Sequence, residues 1–226
     1  MIILAVDTTT PAGSVALLKG KAVLSEINTD SVLTFSERLL PAIHFVLQIH
    51  GLKSQDIEAF ALAVGPGSFT GIRIGVSTVK SFAYASGKPV APVSSLKALA
   101  LKLHNQGGRL FCPVLDAKKG EIYAALFESK RGRLKEIIPE GAYSPDSFLS
   151  RLPARRIISF IGNGMVVYRE KIFEYLRDKA RFPTRSLFIA REVGLLGYEL
   201  LKEKKGVRSW DVEPLYFRKS QAEEIH

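Results

Sequence analysis

"AFALAVGPGSFTGIRIG" (59–75) contains the turn on which the fold is decided. Residues 59–64 form a continuous apolar run of strand length, the pattern of a central strand covered on both faces. Residues 72–87, "IRIGVSTVKSFAYASG", have helical periodicity and stop at Gly87. Between them Gly65, Gly67 and Gly71 alternate with Pro66, Ser68 and Thr70. A glycine-rich loop between a strand and a helix suits an anion, because backbone N–H groups and the helix dipole converge there. The spacing, however, is neither GxxxxGK[ST] nor GxGxxG. The first lysine beyond the loop is Lys80, and Arg73 is the fixed positive charge close by. Two readings stay open. The first is a structural elbow that lets the helix pack hard on the sheet. The second is a weak nucleotide or anion site formed by Asp7, Thr8, Gly67, Ser68, Thr70 and Gly71.

Upstream, "IILAVD" (2–7), "SVALL" (14–18) and "AVLSEI" (22–27) read as an antiparallel meander joined by the turns "TTTPAG" and "KGK". "TFSERLLPAIHFVLQIHG" (34–51) reads as a helix with Thr34 as N-cap, Glu37 completing a capping box, and a bend near Pro41. Downstream come a short strand, "PVAPV" (89–93), and a serine-capped helix, "SSLKALALKLHN" (94–105). After the "QGG" break at 106–108 the pattern restarts. "RLFCPVLDA", "EIYAALFES" and "RLKEIIPEG" predict three strands, and Ser144 with Pro145 at N1 predicts a short helix. "IISFIGNG" predicts a strand and glycine turn, and 186–206 a long terminal helix. This is α/β order, written twice. We place the halves at 1–105 and 106–226, with the extreme C-terminus able to pack back on the first.

The composition, 46% hydrophobic and 24% charged over 226 residues, is that of a globular protein large enough for two modest cores. Cys112 sits alone among apolar neighbours and reads as a buried strand residue of a reducing compartment. No run reaches the ~18 apolar residues of a membrane helix, and Asp7 comes too early for a signal peptide, so the expectation is a cytoplasmic protein with no membrane contact. The net charge of +10 is uneven: residues 1–100 carry 8 basic and 6 acidic side chains, residues 101–226 carry 24 and 16. Such a surplus favours polyanions; a merely solvated surface is the alternative.

Candidates for chemistry are few. Asp7 ends the first strand before "TTT", where it could hold a magnesium phosphate or merely cap the turn with the threonines. Asp116 before "AKKGE" has the same two readings. His104 and His226 are isolated, and Cys112 has no base. The two helices are more telling. In the first, Leu39, Ile43, Val46 and Leu47 can face a sheet, which leaves Leu40, Phe45 and Ile49 over. In the second, Ile72, Val76, Val79 and Ala83 form one stripe, and Ile74, Gly75, Thr78, Phe82 and Ala85 another. Helices apolar nearly all round need cover on more than one side, from a partner or from the protein's own second half.

"ILAVDTTT", "SERLLP", "GPGSFTGIRIG", "SSLKALA", "DAKKGEIYAALF", "GNG" and "EPLYFRKSQAE", in that order, resemble the TsaB (YeaZ) family over nearly the whole chain. Lys118 and Lys119 depart from it, since the family more often has an arginine after "DA". The resemblance implies a duplicated actin-like fold of the sugar-kinase and Hsp70 type (ribonuclease-H-like), each subdomain a mixed sheet flanked by helices. It implies a non-catalytic subunit for making N6-threonylcarbamoyladenosine at position 37 of ANN-decoding tRNAs. The subunit pairs with the catalytic TsaD; the ATPase TsaE joins, tRNA is met through the complex, and a homodimer forms when the chain is alone. The catalytic relative holds a metal with an HxxxH pair on its first long helix. Here His44 and His50 are six residues apart, on different faces, so no metal and no cofactor beyond weak nucleotide binding is expected. The partner face would comprise Ser36, Leu40, Ile43, Leu47, Arg73, Ile74, Ser77, Thr78 and Phe82. The rival is an actin-like ATPase or phosphotransferase using Asp7 and the 65–71 loop.

Overall fold

The computed structural model describes residues 1–29, 35–104, 108–130 and 132–218, without the side chains of residues 35 and 36. In chain order the elements are β1 (Ile2–Asp7), β2 (Gly13–Lys19), β3 (Ala22–Thr29), α1 (Phe35–Gln48), β4 (Ala59–Gly65), α2 (Phe69–Ser86), β5 (Val90–Ser94) and α3 (Ser95–Lys102). There follow β6 (Leu110–Lys118), β7 (Glu121–Lys130), β8 (Arg133–Tyr143), α4 (Pro145–Leu149), β9 (Ile158–Ile161), α5 (Met165–Leu176), β10 (Ala180–Arg181) and α6 (Ala190–Lys202).

The chain divides into two units, Met1–Ser95 with Phe188–Tyr216, and Leu96–Leu187 with Phe217–His226. The first holds a sheet of order β3-β2-β1-β4-β5, antiparallel from β3 to β1 and parallel from β1 to β5. Alternation sorts its side chains by face. Leu4, Val6, Val15, Leu17, Phe60 and Leu62 join a core with Leu39, Ile43, Val46 and Leu47 of α1 and Ile72, Val76, Val79 and Ala83 of α2. The opposite face carries Leu18 and the small residues Ala61 and Ala91, and α6 lies against it. A Cβ on Gly194 would strike Leu18, and one on Gly197 would strike the Cβ of Ala61. At Gly197 the helix therefore sits closer to the sheet than a side chain permits, while at Gly194 the end of Leu18 would have to shift.

That contact corrects the division at 105/106. The terminal helix belongs to the first unit because its glycine face fits the alanine face of β4 and β5. The helix is also shorter than the expected 186–206, running Ala190–Lys202.

The second unit repeats the plan with sheet order β8-β7-β6-β9-β10, again a meander followed by parallel strands. Its core gathers Leu110, Cys112, Val114, Ile122, Leu126, Phe148, Phe160 and Ile172. Full burial pushes the Cys112 thiol well above its ordinary pKa, which makes it a packing residue. Ser144 caps α4 by accepting from the N–H of Ser147 at 3.4 Å, with Pro145 opening the helix as expected. The expected cap at Thr34 lies outside the described residues.

Candidate functional site

The glycine-rich loop is tied down on every side by the first unit. The carboxylate of Asp7 accepts from the N–H and the hydroxyl of Thr9 through one oxygen, at 2.9 and 2.7 Å. The Thr8 hydroxyl donates to the carbonyl of Gly71 at 2.7 Å. The N–H of Ser68 donates to the carbonyl of Thr9 at 2.7 Å, and Ser95 donates its hydroxyl to the carbonyl of Pro66 at 2.5 Å. From the other side the N–H of Leu215 reaches the carbonyl of Val64 at 2.7 Å. A Cβ at Gly67 would collide with the carbonyl of Thr9, so this glycine marks a place where two backbones meet. The Ser68 hydroxyl caps α2 by accepting from the N–H of Gly71 at 3.3 Å.

The six residues named for an anion site are thus neighbours with different surroundings. Asp7, Thr8 and Gly71 are buried, Gly67 is half-buried, and Ser68 and Thr70 are exposed. Two of the polar groups that could meet a phosphate, the Thr8 hydroxyl and the Ser68 N–H, bond the loop to the β1–β2 hairpin, the geometry of the elbow reading.

Asp116 lies in the second unit, Asp7 in the first. Its N–H donates to Asn163 Oδ1 at 3.0 Å, and its carboxylate accepts from the N–H and the Nζ of Lys118, each at 2.8 Å. Burial pushes the Asp116 pKa up, but the Lys118 hydrogen bonds and charge outweigh it and hold the group below its ordinary value. His44 and His50 are both exposed. Among the described residues no group of three or more His, Cys, Asp and Glu could hold a metal ion.

The helices divide differently from the expected partner face. Ile43 and Leu47, 2% and 6% exposed, belong to the unit's own core, as their place on the sheet-facing arc of α1 requires. Leu40, Phe45 and Ile49 stand in the open, at 52%, 54% and 52%. On α2, Ile74 and Phe82 are half-buried against the core, with Phe82 6.3 Å from Phe60 ring to ring. Gly75 is buried against Thr8 and Leu62, on the sheet side of the helix. The second stripe is therefore covered in part by the chain itself, and the outward residues are Thr70, Arg73, Ser77, Ser81, Tyr84 and Ala85. Thr78 is half-buried, and the side chain of Ser36 lies outside the described residues.

The segment after α6 lies over α2. Val207 bridges to Val90, and Val212 enters the core. Lys80 donates its ammonium to the carbonyls of Trp210 and Val212 at 3.4 and 3.1 Å. Tyr216 stacks on Phe69 at 4.8 Å and receives Arg73 Nε at 3.3 Å. A cleft of about 250 Å³ between α2 and this segment is lined by Lys80, Ser81, Tyr84, Ser209 and Trp210.

Two units with the same strand order, each a mixed five-stranded sheet with helices, define the duplicated actin-like ATPase class of fold. The chain superposes with a TM-score of 0.51 on component A of the (R)-2-hydroxyglutaryl-CoA dehydratase of Acidaminococcus fermentans, at 10% identity over 88% of this chain and 98% of that one. Residues 29–224 match the family model "TsaD: tRNA N6-adenosine threonylcarbamoyltransferase". YeaZ from Pseudomonas aeruginosa superposes with a TM-score of 0.78, at 27% identity over 95% of this chain and 99% of that one. The tRNA threonylcarbamoyladenosine biosynthesis protein TsaB of Bacillus subtilis is 32% identical over 99% of this chain and 96% of its own length. The chain belongs to the TsaB (YeaZ) family, which takes part in threonylcarbamoyladenosine modification of tRNA. No helix among the described residues is long and apolar enough to cross a membrane.

Proposed function

We propose that this chain is the non-catalytic subunit of a tRNA-modifying assembly, needed for N6-threonylcarbamoyladenosine at position 37 of ANN-decoding tRNAs. It binds and supports the catalytic TsaD, TsaE joins the pair, and tRNA is met in the complex; alone, the chain pairs with a second copy through the same surface. The observation that carries this reading is α1. One arc of the helix is sealed into the core while Leu40 and Phe45 stand half exposed outside that arc. Large apolar side chains displayed on a helix that is already anchored mark a docking surface. Arg73 and Ser77, exposed on the neighbouring α2, supply a polar rim.

The loop supports a binding role over chemistry. An actin-like ATPase or phosphotransferase working through Asp7 and residues 65–71 needs loop N–H groups for phosphate, and the N–H of Ser68 is spent on Thr9. The test is reconstitution with TsaD, TsaE, threonylcarbamoyl-AMP and unmodified tRNA, with and without this chain. Modified nucleoside should form only with the chain present, and the chain alone should neither modify tRNA nor turn over ATP. Magnesium-dependent ATP turnover by the isolated chain would establish the rival.

A further inference from the structure

The basic surplus of residues 101–226 is gathered by the second unit's fold into one row. Strands β6, β9 and β10 are parallel and start at the same end of the sheet, where β7 finishes and β8 begins. The register fixes this: Ile158 is level with both Leu110 and Ala180, Leu110 with Glu128, and Lys130 with Arg133. Every strand brings positive charge to that end. Arg177 and Lys179 lead into β10, Arg155 and Arg156 into β9, and Arg109 into β6. Lys130 closes β7, and Arg133 and Lys135 open β8. All are exposed except Lys179, which is half-buried. With strands about 4.8 Å apart, the row is about 19 Å long.

Three carboxylates share that end, Glu128, Glu136 and Asp178, against eight cations. Asp178 is paired with Lys179 at 2.5 Å. Glu128 accepts from Arg156 at 2.7 Å, and this bond, with Lys130 and Arg109 also close, holds its carboxyl below the ordinary range. Lys130 and Arg133, and Arg155 and Arg156, distant in sequence, are therefore one patch. The opposite end of the sheet, where Asp116, Lys118, Glu121 and Asn163 lie, is of mixed charge. In open α/β sheets ligands sit at the carboxyl ends of the strands, so the basic row is separate from any small-molecule site of this unit.

We infer that this rim is an RNA-binding surface that holds the phosphate backbone. Exposed guanidinium and ammonium groups in a row position a nucleic acid through its phosphates and do not read bases. That the polyanion is RNA rests on the reading of the chain as a tRNA-modifying subunit; the rim itself rests on the register.

The experiment titrates the full chain with an unmodified transcript of an ANN-decoding tRNA between about 50 and 200 mM salt. The rim variant carries Arg109→Gln, Lys130→Gln, Arg133→Gln and Arg155→Gln, and leaves Arg156 to hold Glu128. A control removes the same charge from the first unit, with Lys19→Gln, Lys53→Gln, Arg191→Gln and Lys204→Gln. The rim variant should bind at least ~10-fold more weakly, with the slope of log K against log salt shallower by about 3, since each phosphate contact contributes roughly 0.7–0.9. The control should shift by less than about 2-fold. Equal losses in both would reduce the effect to net charge and overturn the proposal, as would an unchanged rim variant. So would rim-dependent binding to phosphatidylserine vesicles with tRNA binding intact. If the fourfold variant melts early, Arg133→Gln and Arg155→Gln singly should each flatten the slope by about 1. Reconstituted modification is read in parallel. Modification that proceeds without this chain contradicts the functional reading and leaves the rim's salt slope untouched, so the two failures are distinguishable.

Discussion

Thr8 and Gly71 are 63 positions apart in the chain, and the hydroxyl of the first donates to the carbonyl of the second at 2.7 Å in the buried seam between β1 and α2. The bond takes up a carbonyl in the first turn of a helix whose start is also capped by Ser68. Thr8→Val keeps the shape and removes the hydroxyl's bond across the seam, leaving the carbonyl its helical partner. We predict a loss of about 0.5–1.5 kcal/mol in urea unfolding, whereas exposed Thr70→Val should stay within about 0.5 kcal/mol of the parent. Equal stability for both variants would mean the seam contributes no stability.

Leu39 and Leu40 are adjacent on α1, about 100° apart around its axis, and are 4% and 52% exposed. Leu40→Glu should give a soluble protein that melts like the parent but neither self-associates nor captures TsaD. Leu39→Glu places a carboxylate in the core and should abolish cooperative folding. Phe82, partly buried near Phe60, belongs with the core: Phe82→Glu should fall by roughly 1–3 kcal/mol before any effect on assembly is read. Sizing chromatography and thermal melts separate the cases. Dimers of Leu40→Glu as tight as the parent's would place the docking surface elsewhere.

Gly197 is a point of close approach between α6 and the first sheet, where an added Cβ would meet the Cβ of Ala61. Gly197→Leu should cost at least ~3 kcal/mol, since neither helix backbone nor β4 can yield without losing contacts. Limited proteolysis should then cut beyond residue 188 while leaving the second unit protected. A parent-like melt would mean the helix is not integral to that unit.

Asp116 has a lowered pKa because its Lys118 bonds outweigh burial. A carboxylate with a depressed folded pKa stabilises the fold above its ordinary value of 3.8, and the benefit is lost as pH falls through the lower folded value. Asp116→Asn should therefore be less stable than the parent at pH 7, with the gap closing on acidification below about pH 4. A constant gap down to pH 2 would show that the charge plays no part.

The strand meanders and the strand–loop–helix turn were legible because each has a strong local signature: alternation, a continuous apolar run, or glycine punctuation. The Ser144–Pro145 start was legible for the same reason. Helix α5 was not. It begins at Gly164 without a side-chain cap and leaves Val166, Val167 and Phe173 exposed, so its periodicity is blurred. Gly194 and Gly197 read in sequence as weak helix formers, whereas their role is contact with residues over 130 positions away. For Phe82 the periodicity was right and the cover was misjudged, because the first unit's own core, Phe60 included, takes it in part. The basic rim was visible only as a charge surplus; strand register was needed to bring its members together.

Copurification joined to nucleoside analysis tests the central claim most directly. This chain and its Leu40→Glu variant are each mixed with TsaD, resolved by size, and assayed with TsaE, threonylcarbamoyl-AMP and unmodified tRNA. The parent chain should form a complex and support N6-threonylcarbamoyladenosine formation, and the variant, equally folded, should do neither. Undiminished modification by TsaD and TsaE without the chain, or full activity with a variant that no longer binds, would contradict the claim.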